Sequence, residues 1–185
     1  MSTPRATPKS WPFRIAVDAN ELQRHHHGWR FTTINPPVVV IPSDLYVGDY
    51  SLVGHEREII IERKSKPDLY GSLGKNKREN MEERMNLMTF SRYSAMVIEA
   101  EFLDCLNNPP PFSKLHPRSV AGTIYAWRQR YKVDWWFAPS AAAAEIITFR
   151  LLERFYHEHC DEAVRPGRPR RQSPGLSSKG ARAIP

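Results

Sequence analysis

Three consecutive isoleucines followed at once by three charges, Ile59-Ile60-Ile61-Glu62-Arg63-Lys64, constrain this 185-residue chain more than any other stretch. The isoleucines ask for burial on both faces of a strand, and a charge carried into that environment is costly unless it finds a partner. A buried strand that ends in charges predicts a site at its end. Side chains alternate across a strand, so Glu62 and Lys64 share one face and Arg63 points to the other. Upstream, Leu45 to Val53 alternates well enough to be the preceding strand of a hairpin, with a turn at Gly54-His55-Glu56. Pairing the two strands would bring Asp49 next to Glu62.

Two carboxylates converging on one point repel each other unless a divalent cation lies between them. Hard oxygen ligands with open positions suit Mg²⁺ or Mn²⁺. Lys64 beside such a cation is placed to orient or help deprotonate a water. An Asp, then Glu-x-Lys at the end of a strand, is the layout of metal-assisted phosphodiester hydrolysis. The same short pattern also fits a solvated strand end, with Asp49 an ordinary turn residue after Gly48.

The flanks favour the site. Gly48-Asp49, Glu62-Arg63-Lys64 and Asp68, with Leu45 and Tyr50 before and Leu69 and Ser72 after, resemble the signature of the XPF-type nuclease domain. This is the structure-specific endonuclease branch of the restriction-endonuclease-like superfamily. Asp18 and Glu21 resemble the family's Asp-x-x-Glu near the first strand, and Ile98-Glu99 its Ile-Glu strand, so the resemblance covers residues 13–101. It implies an α/β fold, a restriction-endonuclease-like mixed central sheet flanked by helices. It further implies a Mg²⁺- or Mn²⁺-dependent DNA endonuclease acting on branched or flap structures in repair or recombination, and a homodimer. Asp49 and Glu62 would hold the metal, with Asp18 and Glu21 as further ligands; Arg63, Lys64 and Asp68 would complete the catalytic set.

Two departures stand out. The family usually has an Arg between the first two acids, where this chain has Asn20. It also often carries a Gln on the helix after the motif; Asn80 and Glu82 are the nearby polar residues here, and neither is carried over.

Read by residue type alone, Asp18 and Glu21 are equally helix-cap or surface acids. Asp68, just after Pro67, is equally a helix-start acid stabilised by the macrodipole. Gly71 to Lys77 reads as a loop at the mouth of the site, and Arg78 to Tyr93 as a helix with Met81, Met85 and Met88 on its core face. Ala95 to Glu99 is the next strand, with Glu99 either supporting the site or exposed. Val38 to Ile41 is either an edge strand or the approach to Leu45. Ser119 caps a helix to Tyr131, Val133 to Phe137 is a final strand, and Ser140 caps a long helix to His159. Arg128 and Arg130 are candidate phosphate contacts, and the Trp-rich strand is core.

The net charge of +7 is unevenly placed. After Glu162 the chain carries Arg165, Arg168, Arg170, Arg171, Lys179 and Arg182 and no acid, so the preceding body is nearly neutral. The expected organisation is an unstructured lead-in at 1–12, a domain at 13–160 and a basic tail at 161–185, ending before any tandem helix-hairpin-helix module. Such a tail binds nucleic acid without reading sequence, which leaves a non-catalytic DNA-binding subunit or adaptor as the alternative. His25-His26-His27 point in different directions and read as a polar loop rather than a zinc site. Cys105 and Cys160 alone give no disulfide framework, and no apolar run suits a signal peptide or a membrane span, so the expectation is a cytoplasmic protein with no membrane contact.

Overall fold

A computed structural model of the chain describes residues 10–24, 28–111 and 113–160. The lead-in up to residue 9, the His25-His26-His27 segment and the basic tail lie outside the described residues. The chain runs through β1 (Ile15–Asp18), α1 (Ala19–Arg24), β2 (Val40–Ser43), β3 (Tyr50–Leu52) and β4 (Ile59–Lys64). It continues with α2 (Lys66–Leu73), α3 (Lys75–Met88), β5 (Tyr93–Ile98), α4 (Phe102–Asn107), α5 (Pro117–Tyr131), β6 (Asp134–Phe137) and α6 (Ala141–His159).

The strands form one sheet in the order β2-β1-β3-β4-β5-β6. β3 is antiparallel to both β1 and β4, whereas β1 and β2, β4 and β5, and β5 and β6 pair in parallel. The expected α/β architecture, a mixed sheet between helices, is therefore the one observed.

The isoleucine run of β4 explains why both faces of the sheet are covered. Ile60 packs with Met81, Met85 and Met88 of α3 in one core, while Ile59 and Ile61 pack with Phe31, Tyr50 and Phe149 in the other. Burying each such side chain contributes roughly 1.5–3 kcal/mol, so β4 is anchored from both sides. Continuing the alternation, Glu62 emerges on the α3 side and Arg63 on the Phe31 and Tyr50 side.

Several elements differ from the sequence expectation. The stretch 45–53 is not one strand: pairing is confined to Tyr50–Leu52, because Gly48 turns the chain at φ +86°. Gly71 to Lys77 is no loop; α2 and α3 are separated only by Gly74, whose N–H reaches the carbonyls of Tyr70 and Gly71. The helix expected to reach Tyr93 stops at Met88, since Tyr93 already belongs to β5. His116, not Ser119, caps α5: its Nδ1 accepts the Arg118 N–H at 3.2 Å, and Pro117 occupies the first turn where its missing N–H costs nothing. Ser140 does cap α6, accepting the Ala143 N–H at 3.2 Å. Val40–Ser43 is an edge strand, which is why Pro42 is tolerated within it. On β6, Trp135 is core, whereas Trp136 is 42% exposed. No described helix is long and apolar enough to cross a membrane.

Gly48 leaves no room for a side chain. A Cβ there would lie 2.5 Å from Ile60 Cγ2 and 3.2 Å from the Ile61 carbonyl oxygen, in addition to the left-handed backbone. Gly48→Ala should cost at least about 1–2 kcal/mol, read as a lowered Tm in a thermal melt.

Candidate active site

The C-terminal end of β4 opens into a cleft of about 1290 Å³, and all seven residues singled out from the sequence line it: Asp18, Glu21, Asp49, Glu62, Arg63, Lys64 and Asp68. They do not form one cluster. They divide according to which face of β4 they meet.

On the α3 face, Glu62 is 3% exposed and accepts from Lys64 Nζ at 3.1 Å on Oε1 and from Arg84 Nη2 at 2.5 Å on Oε2. Asp49 reaches the same point from the β3 side. Its N–H donates to the Ile61 carbonyl at 2.8 Å, and its Oδ2 accepts the Arg63 N–H at 2.7 Å. These two backbone ties fix Asp49 against β4 although it precedes the paired part of β3. Burial, then the charges of Glu62 and Glu21, hold the Asp49 carboxyl well above the usual carboxylate range; the Arg63 N–H and Arg84 offset this only in part.

On the opposite face, Arg63 is locked at two points. Its Nε donates to Glu99 Oε1 at 2.7 Å, its Nη1 to Glu21 Oε1 at 2.5 Å, and its guanidinium lies 5.3 Å from the Trp29 ring centroid. Burial works to lower its pKa, but the hydrogen bonds to Glu99 and Glu21 raise it overall, so the group stays a cation. Glu99, left open from the sequence, is thus a partner of Arg63.

The remaining acids have local duties. Asp18 Oδ1 accepts the Asn20 N–H at 2.9 Å and Oδ2 the Leu45 N–H at 3.4 Å, so it serves as the helix-start acceptor and ties the Leu45 segment to β1. Asp68 is exposed and accepts from Ser65 Oγ at 2.6 Å, within the cap of α2, instead of pairing with Arg63 or Lys64. The four acids considered as ligands are therefore not gathered into one set, and among the described residues no group of three or more His, Cys, Asp or Glu is arranged to hold a metal ion.

Asp49 and Glu62 nevertheless fit a hard cation. Burial and the neighbouring carboxylates raise the Asp49 pKa, so its ionised form is one that a bound cation would stabilise. Mg²⁺ commonly takes only one or two carboxylates and completes its shell with waters and substrate oxygens.

Sequence reasoning missed Arg84. Asn80 lines the cleft, but Glu82 is turned away from it and accepts from Trp127 Nε1 at 2.9 Å. The signal for Arg84 was available: it lies three residues after Met81 and four before Met88, on the helix face that those methionines turn toward the sheet.

The six-stranded mixed sheet flanked by helices, with Glu62 and Lys64 at the end of β4, agrees with the restriction-endonuclease-like fold expected from the sequence. Residues 17–149 match the ERCC4 domain, and the chain belongs to that family. Two solved structures, XPF from Aeropyrum pernix and XPF from Aeropyrum pernix in complex with DNA, share the fold at TM-score 0.59 with 20% and 19% identity. Each alignment covers 86% of this chain and 77% of that chain. No curated protein sequence matches the chain.

Proposed function

We propose that this ERCC4 domain is a divalent-metal-dependent DNA endonuclease that hydrolyses phosphodiester bonds at branched or flap structures, in repair or recombination. The observation that carries the reading is the convergence of Asp49, Glu62 and Lys64 at the end of β4, with burial and Glu62 raising the Asp49 carboxyl. Asp49 and Glu62 would hold Mg²⁺ or Mn²⁺, which when bound supplies Lewis-acid polarisation of the phosphate. Lys64, 3.1 Å from Glu62 Oε1, is within reach of the attacking water and of charge developing on the phosphate. Arg63 holds Glu21 and Glu99 and keeps the floor of the cleft rigid. The complex of the Aeropyrum XPF with DNA supports DNA as the partner. A homodimer belongs to the same reading, on the family resemblance.

The test is cleavage of labelled flap, fork, four-way-junction and plain duplex DNA with Mg²⁺ or Mn²⁺, by wild type and Lys64→Ala. Wild type should prefer the branched substrates. The variant should fold normally and lose on the order of 10²–10³ in kcat. Binding without cleavage by the wild type would favour a DNA-binding subunit or adaptor instead.

A further inference from the structure

Two arginines reach the ends of the β4 charges, and they are held in opposite ways. Arg63 uses Nε and Nη1 on two different carboxylates and lies over an aromatic ring, and its side chain is 13% exposed. Arg84 grips Glu62 through Nη2, while its Nε is buried with no hydrogen-bond partner among the described residues. Its side chain is 38% exposed and lines the cleft. A structural arginine normally satisfies its planar fork at two points, because a buried orphaned donor is costly. Arg84 leaves that cost standing.

The contact also exceeds what pairing a single carboxylate requires. Lys64 already compensates Glu62 on Oε1, so with Arg84 on Oε2 this carboxylate has two cationic partners. Arg84 Nη2, 2.5 Å from Oε2, thus occupies part of a carboxylate that would hold a divalent cation.

We propose that Arg84 is a phosphate-binding residue parked on Glu62, which it gives up to an incoming divalent cation before turning to the substrate phosphate. The long side chain pivots from α3 without any change in the sheet, and its free fork then offers the paired donors that match a phosphodiester. The parked state keeps the second oxygen of buried Glu62 hydrogen-bonded when metal is absent. This rests on the nuclease reading above and adds to it a cation exchange at Glu62.

The test is Mn²⁺ titration calorimetry on the full chain without DNA, for wild type, Arg84→Gln, Arg84→Lys and Arg154→Gln. Arg154, on the exposed face of α6 and paired with Glu158 at 2.7 Å, controls for the loss of one positive charge. Arg84→Gln should bind Mn²⁺ on the order of tenfold more tightly than wild type, with Arg84→Lys between them and Arg154→Gln unchanged. In flap cleavage at saturating Mn²⁺, Arg84→Gln should still lose on the order of 10²-fold in kcat/KM. Equal Mn²⁺ affinity in wild type and Arg84→Gln would overturn the proposal and leave the metal site standing. Tighter metal binding with undiminished cleavage would overturn the phosphate role. No Mn²⁺ binding by any of the proteins would remove the metal reading itself, and the parked arginine with it.

Discussion

Asp49→Asn should abolish metal-dependent cleavage and at the same time raise the melting temperature of the metal-free protein. Both effects follow from one fact, that burial and the neighbouring Glu62 and Glu21 hold the Asp49 carboxyl well above the usual range. An acid whose folded pKa exceeds its unfolded one binds its proton more readily in the folded state. Its stabilising contribution is complete below the unfolded pKa and is lost as pH rises through the folded value. Above the unfolded pKa the metal-free wild type therefore loses stability that the amide keeps. Tm followed against pH, from the ordinary carboxylate range upward, should fall less steeply in the variant. Adding Mg²⁺ should stabilise the wild type and not the variant, reversing their order. The loss of metal-assisted charge stabilisation removes several kcal/mol from the transition state, on the order of 10³-fold or more in rate. A variant that melts lower than wild type without metal would contradict the electrostatic account of Asp49.

The second large effect concerns the adjacent residue in the motif and has a different origin. Arg63→Ala should unfold the domain readily, because it leaves Glu21 and Glu99 buried without their cation and removes the guanidinium from Trp29. Both carboxylates and the arginine are little exposed, at 11%, 11% and 13%. Breaking a pair of this kind costs about 3–5 kcal/mol, a fall in Tm on the order of 10 °C for a domain of this size. Lys64→Ala, one position further along the same strand, should melt close to wild type and fail only in catalysis. Circular dichroism melts of the two variants side by side check the contrast. Equal melting temperatures would show that Arg63 carries no structural role.

That contrast was legible in the sequence, since strand alternation alone separates Glu62 and Lys64 from Arg63. So was the approach of Asp49 to Glu62, although it is made by a glycine turn and two backbone hydrogen bonds and not by an extended hairpin. Other features depended on tertiary information. Glu99 meets Arg63 because β5 lies parallel to β4 with Arg63 beside Val97, a register that no local pattern announces. Asp18 and Asp68 line the cleft, and each also accepts a hydrogen bond at a helix start, from the Asn20 N–H and the Ser65 hydroxyl. Glycines and lysines from Gly71 to Lys77 suggest a loop, whereas Gly74 alone suffices to break two helices. Arg84 is marked by the methionine face it shares with Met81 and Met88, not by being an amide or an acid.

The most direct measurement is a time course of one labelled flap DNA incubated with wild type or Asp49→Asn, each with Mg²⁺ and with a chelator. The account predicts nicked product only for wild type with Mg²⁺, with both proteins folded throughout. Product from Asp49→Asn at the wild-type rate, or from wild type in chelator, would contradict a metal-dependent site built on Asp49 and Glu62.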